Sequence, residues 1–137
     1  MPLIETDLLK AYLDPGDDLH GASLRAFELL KGPGEYALSS VSLLELDLLL
    51  KSAGFSGKER EQVFKTLTMR LLKVKIVAMR PETVSNAIVL QGKYRQSHFY
   101  FDSLHLGLAM SHDGRIVSSD EVFDSIQEVE RIDPHEL

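Results

Sequence analysis

Two rhythms of apolar residues alternate along this chain: short contiguous runs, and residues recurring every three or four positions. The first pattern reads as buried strands and the second as helices with one face in a core. Leu3-Ile4 running into Glu5 is a short strand, after which Leu8, Leu9, Tyr12 and Leu13 recur at helical spacing until Asp14-Pro15-Gly16. Asp17 or Asp18 is placed to cap a second helix whose stripe is Leu19, Ala22, Ala26, Leu29 and Leu30, stopped by Lys31-Gly32-Pro33-Gly34. Tyr36-Ala37-Leu38 is a strand candidate. Ser39, Ser40 or Ser42 can cap a third helix that carries leucines to about Gly54, and Ser56 a fourth, basic helix.

Val74 to Met79 is the clearest strand in the sequence. Pro81 suits the first turn of a helix reaching about Arg95, because its missing N–H is not needed there. A polar gap, Gln96-Ser97-His98, precedes a helix from about Phe101 that ends at Asp113-Gly114. Arg115 to Ser118 and Glu130 to Ile132 complete the strands. Short strands alternating with helices of ordinary length predict an α/β fold with a mostly parallel sheet.

Four acidic positions break this patterning: Glu5 with Asp7, Glu45, Asp102 and Asp120 each lie on or beside an apolar run. A carboxylate there is costly unless it is paired, hydrogen-bonded or metal-bound. Each falls at a strand exit or near the start of a helix, and open parallel sheets gather ligands at the carboxyl ends of their strands. Two carboxylates about 5 Å apart repel by roughly 3 kcal/mol at an effective dielectric near 20. Four together call for cations or bound protons. Cysteine is absent, so hard oxygen ligation selects Mg²⁺ or Mn²⁺ over zinc. Such ions serve phosphodiester cleavage without a protein nucleophile.

Composition narrows the classes further. A chain of 137 residues with 44% apolar and 26% charged residues fits one globular domain, residues 1–137, and excludes a disordered one. No apolar run approaches the roughly 20 residues of a membrane span, and the first residues lack a signal-peptide pattern. A soluble cytoplasmic protein with no membrane partner is the expectation. The net charge is −6, yet eight of the fifteen Lys and Arg fall between Lys51 and Arg80 with only two of the twenty-one acids. This segment, with Lys51, Lys58, Arg60 and Lys65, is either a phosphate-tracking surface or a solvated helix face.

Ile4-Glu5-Thr6-Asp7-Leu8-Leu9 resembles the Asp-Thr-Asn opening of PIN domains, the ribonuclease family that includes VapC-type toxins. Ser39 through Glu45 is similar to the family's stretch ending in its second acid, and Asp102-Ser103-Leu104-His105-Leu106-Gly107-Leu108-Ala109 to its third-acid helix. Val117-Ser118-Ser119-Asp120-Glu121-Val122-Phe123 resembles its Thr-x-Asp-x-x-Phe ending. The resemblance spans nearly the whole chain in the family's order. It implies a three-layer α/β/α fold with four to five short strands. It also implies a metal-dependent RNase acting on single-stranded RNA, commonly a homodimer and often paired with an antitoxin.

On that reading Glu5, Asp7, Glu45, Asp102 and Asp120 hold the metal, and Thr6 and Ser118 orient the carboxylates as outer hydrogen-bonding partners. Two departures stand out: Glu5 replaces the family's Asp, and Asp7 its usual Asn. Asp7 then either takes over the ligand role or adds a fifth carboxylate. Each acid also has a plainer explanation, as a helix cap or a solvated face, and His105 reads as structural. The alternative function is a catalytically weakened scaffold that binds RNA or protein. A phospho-acceptor receiver domain fits poorly, since no Asp follows the strand ending at Met79. Gly54-Phe55-Ser56-Gly57-Lys58 lacks the spacing of a phosphate loop.

Overall fold

Leu3 and Ile4, fully buried on opposite faces of one strand, organise the molecule. In the computed structural model, which describes residues 1–96 and 98–137, they form β1 (Leu3–Ile4) at the centre of a five-stranded sheet. The other strands are β2 (Ala37–Ser39), β3 (Ile76–Val77), β4 (Arg115–Val117) and β5 (Glu130–Ile132), in the order β3-β2-β1-β4-β5. Every pairing is parallel. Six α-helices among the described residues connect them: α1 (Thr6–Leu13), α2 (His20–Lys31), α3 (Val41–Ser52), α4 (Gly57–Arg70), α5 (Pro81–Lys93) and α6 (Tyr100–Met110).

The strands are apolar on both faces, as a covered parallel sheet requires. Ile4, Leu38 and Val117 point into a core shared with Leu8, Leu9, Phe27, Leu46 and Leu67 of α1 to α4. Leu3, Ala37 and Ile116 point the other way, into a core with Leu90 of α5, Leu106 and Leu108 of α6, and Phe123. The result is the expected three-layer α/β/α arrangement. Residues Ser103 to Ala109 of α6 are all buried, which explains a helix apolar on nearly every side. Its closest approach to α5 is at Gly107, where a Cβ would lie 2.6 Å from the Thr83 carbonyl and 3.0 Å from the Ala87 amide nitrogen.

Several element boundaries differ from the sequence reading. Val74–Met79, the strongest strand pattern, contributes only Ile76–Val77, because β3 is an edge strand with β2 as its one neighbour. The second helix starts at His20, since Asp17 spends its carboxylate on the Leu19 amide (2.9 Å) in a preceding turn. Ser40 stands at the start of α3 without capping it; its hydroxyl instead accepts from the Met79 amide (2.9 Å), fastening the end of β3. Ser56 does cap α4, in a reciprocal box with Glu59. Pro81 opens α5, which ends at Lys93. Of the polar gap before α6, Ser97 lies outside the described residues. No helix of the described residues is long and apolar enough to cross a membrane.

Candidate metal centre

The chain runs outward from β1 to β2 and β3, then returns to the other side of β1 to build β4 and β5. The switch therefore falls between β1 and β4, the position where open α/β sheets bind ligands. One residue beyond the paired Ile4–Leu38 and Ile4–Val117 stand Glu5, Ser39 and Ser118. By strand alternation all three face the α6 side. Three buried polar side chains thus cap three neighbouring strands at one edge.

Glu5 is 6% exposed and accepts a hydrogen bond from the Ser118 hydroxyl (3.1 Å). Asp7, in the first turn of α1, accepts from the Ser119 amide (2.7 Å) and hydroxyl (2.6 Å) and from the Leu8 amide (2.7 Å). Glu45 reaches in from α3 to His105, its Oε1 lying 3.0 Å from Nε2. Asp102 lies in the first turn of α6. Asp120 follows β4, where its Oδ1 accepts from Val122 and its own amide donates to Ser118 (both 3.0 Å). Asp102 and Asp120 line one open depression together with Arg95, Gln96, His98, Val122 and Ser125.

Electrostatics confirm the closeness of these groups. Burial pushes the Glu5 carboxyl well above the usual range, and the charges of Asp7, Glu45 and Asp102 push it further. Asp102 rises to about 6, first from burial and then from Glu45 and Asp120, against an opposing contribution from His105. Burial disfavours the Glu45 carboxylate too, but hydrogen bonds from His105 and Thr6 outweigh it and leave Glu45 below the ordinary range.

Among the described residues, none of these five acids forms a salt bridge with a Lys or Arg; only His105 approaches, at 3.0 Å from Glu45 and 3.9 Å from Glu5. An all-carboxylate edge with no fixed cation has the donor chemistry of a Mg²⁺ or Mn²⁺ site. Glu5, Glu45 and His105 each offer an atom within 4.8 Å of the others.

Other predicted residues separate from this edge. Arg60 is engaged with Asp47 (2.8 Å) and the Phe55 carbonyl, and Lys65 with Glu61 (2.9 Å). Lys51 and Lys58 are exposed on α3 and α4 and do not line the depression at Asp102 and Asp120. Asp124, a further acid four residues past Asp120, is held by Arg131 through two hydrogen bonds (2.8 and 3.0 Å). His105, Ser39, Ser119 and Arg95 were not visible as members of this edge. Ser39 and Ser119, at and just past strand ends, carry a positional signal, and Arg95 follows α5, whereas His105 in the middle of α6 carries none.

The family model of the PIN domain matches residues 3–129, and the chain belongs to the PIN domain family. Members of this family are typically nucleases that use a divalent metal. The fold is similar to that of a chain in VapBC2 from Rickettsia felis bound to a fragment of promoter DNA. The two are 19% identical over 95% of this chain and 96% of that one, with a TM-score of 0.72. FitAcB from Neisseria gonorrhoeae is 15% identical over 100% of both chains, with a TM-score of 0.72. VapC20 from Mycobacterium tuberculosis, a toxin that cleaves the sarcin-ricin loop, is 16% identical over 94% of this chain and 98% of that one, with a TM-score of 0.68. At these identities the likeness is one of fold. No curated protein sequence compared with the chain matches it significantly.

Proposed function

We propose that this protein is a Mg²⁺- or Mn²⁺-dependent endoribonuclease that hydrolyses phosphodiester bonds of single-stranded RNA, as the toxin-like half of a toxin–antitoxin pair. One observation carries the reading: five carboxylates from four separate segments share the sheet edge at the β1/β4 switch with no Lys or Arg in salt-bridge contact among the described residues. A divalent cation bound there supplies activation of a water and neutralisation of phosphate charge. Glu5, Glu45, Asp102 and Asp120 are the holding groups, with Asp7 a fifth carboxylate fixed by Ser119. Ser118 and Thr6 set the rotamers of Glu5 and Glu45. Arg95 and His98, on the wall beside Asp102 and Asp120, meet the RNA backbone at the scissile position. Lys51 and Lys58, exposed on α3 and α4, are further phosphate contacts in this reading, away from that wall.

Cleavage of single-stranded RNA by the purified protein with Mn²⁺, abolished by EDTA and in Asp102→Asn, is the expected result. Metal-independent cleavage, or an unimpaired Asp102→Asn variant, would refute it. The cytoplasm is the proposed compartment, where such a substrate is found. An antitoxin is proposed as partner because similar folds occur in solved toxin–antitoxin complexes, one of them from Klebsiella pneumoniae. A homodimer is proposed from the α3 leucines that the monomer leaves outside its core, Leu44 at 56% and Leu48 at 41% exposure. Light scattering on the purified protein checks it.

Glu5 in the place of the family's Asp favours a second reading, a scaffold with weakened catalysis that binds RNA or protein. Calorimetric titration separates the two, since absence of Mn²⁺ binding at millimolar concentration supports the scaffold.

A further inference from the structure

His105 is fully buried at the middle of α6, yet it touches groups from three other elements. Its Nδ1 lies 3.0 Å from the Ser39 hydroxyl at the end of β2. Its Nε2 lies 3.0 Å from Glu45 Oε1 of α3 and 3.0 Å from Thr6 Oγ1 of α1. Among the described residues, the imidazole is therefore the one side chain that hydrogen-bonds to β2, α1 and α3 together, directly behind the carboxylates.

The partners dictate which nitrogen carries the hydrogen. Ser39 is fully buried, and the imidazole is its hydroxyl's one hydrogen-bond partner among the described residues. A buried hydroxyl needs an acceptor for its hydrogen, and Nδ1 can accept only when it is unprotonated. On the other side, the carboxylate of Glu45 is an acceptor and offers nothing to a bare nitrogen, and the Thr6 hydroxyl, which gives its hydrogen to Glu45, presents only lone pairs to Nε2. A hydrogen on Nε2 satisfies both sides at once. A hydrogen on Nδ1 instead would aim a lone pair at the Glu45 oxygen and strand the Ser39 hydroxyl. A doubly protonated ring would strand Ser39 as well.

A metal ligand needs a free lone pair, and this arrangement leaves none: one nitrogen is protonated and the other faces Ser39. We propose that His105 is a positioning residue, held as the Nε2–H tautomer between Ser39 and Glu45, which orients the Glu45 carboxylate and stays outside the set of metal ligands. The assignment rests on the metal site of the proposed function, but its first test does not.

Long-range ¹H–¹⁵N correlation on the metal-free, ¹⁵N-labelled protein, with the His105 signals identified by their loss in His105→Gln, reads the tautomer directly. Protonated Nε2 and bare Nδ1 are expected; a hydrogen on Nδ1 overturns the assignment. Calorimetric Mn²⁺ titration is the second arm. Glutamine can present an N–H where Nε2 stands, so His105→Gln should bind Mn²⁺ within about 3-fold of the wild type. His105→Leu keeps bulk but no donor, and its affinity should fall by about 10- to 100-fold, with thermal melting to verify that it folds. Equal loss in both variants, or no loss in His105→Leu, overturns the positioning role. A wild type that binds no Mn²⁺ while its tautomer is as stated sinks the proposed function and the metal half of this inference, and leaves the hydrogen-bond assignment standing.

Discussion

Ser118, at the end of β4, donates its hydroxyl hydrogen to Glu5, at the end of β1, across a seam between residues 113 positions apart in sequence (3.1 Å). The same Ser118 oxygen accepts from the Asp120 amide (3.0 Å). One hydroxyl therefore sets the rotamer of a buried acid and the path of the chain carrying another. Replacing it with alanine leaves the buried Glu5 carboxyl short of a hydrogen-bond donor. Ser118→Ala should cost about 1–2 kcal/mol of stability and about tenfold in Mn²⁺ affinity. Denaturant melts and calorimetry measure the two, and an unchanged Mn²⁺ affinity would contradict the coupling.

Asp102 gives the site a pH signature. Its folded-state pKa, about 6, lies above the unfolded value. Between the two values the folded state binds the extra proton, so stability falls as pH rises through that window. Asn mimics the protonated form at every pH. Metal-free Asp102→Asn should therefore be more stable than the wild type at pH 7.5, by on the order of 1 kcal/mol or about 4 °C. That gap should close as the pH drops to about 4, where Asp102 is protonated in the wild type too. A gap that stays constant with pH would show that Asp102 is not raised.

Gly107 is the contact point of α5 and α6. A methyl group there meets backbone, at 2.6 Å from the Thr83 carbonyl oxygen, and not a side chain that can swing aside. Gly107→Ala should lose about 3 kcal/mol, or about 10 °C in thermal midpoint. The loss would come with partial loss of Mn²⁺ binding, because α6 carries Asp102. Wild-type stability in this variant would mean the helices have room to separate.

Substitution of Arg95 tests the proposed RNA path apart from metal binding. It stands on the wall of the depression that Asp102 and Asp120 line. Arg95→Ala should weaken single-stranded RNA binding and reduce the slope of log affinity against log salt by about 0.7, the share of one phosphate contact. Mn²⁺ affinity should stay unaltered. Fluorescence anisotropy at several salt concentrations checks it, and a slope equal to that of the wild type would remove Arg95 from the RNA path.

The layers of this fold were legible because parallel sheets write their burial into the sequence. Leu3-Ile4, Ala37-Leu38 and Ile116-Val117 are apolar at both parities, as strands covered on two faces must be. Edge position was not legible. Val74–Met79 carries the strongest strand signal and forms the short, partly exposed β3, because a local pattern does not report how many neighbours a strand has. The acids stood out because carboxylates next to leucines are anomalous on energetic grounds. His105, Ser39 and Ser119 did not, since a buried histidine or serine is unremarkable until its partners from other elements are known. The basic segment reads two ways from the sequence. Arg60 and Lys65 hold neighbouring acids, a use that charge counts along the chain do not distinguish from a binding surface.

The strand order has a temporal consequence. β1 pairs with β2 early in the chain but with β4 only after residue 115, and Ser118 and Asp120 come later still. During synthesis, the segment from β1 through Asp120 must leave the ribosome before the two halves of the acidic edge exist together. The acidic edge is therefore a late feature of folding: until β4 pairs with β1, Glu5 lacks its Ser118 partner and Asp120 has no place beside Asp102.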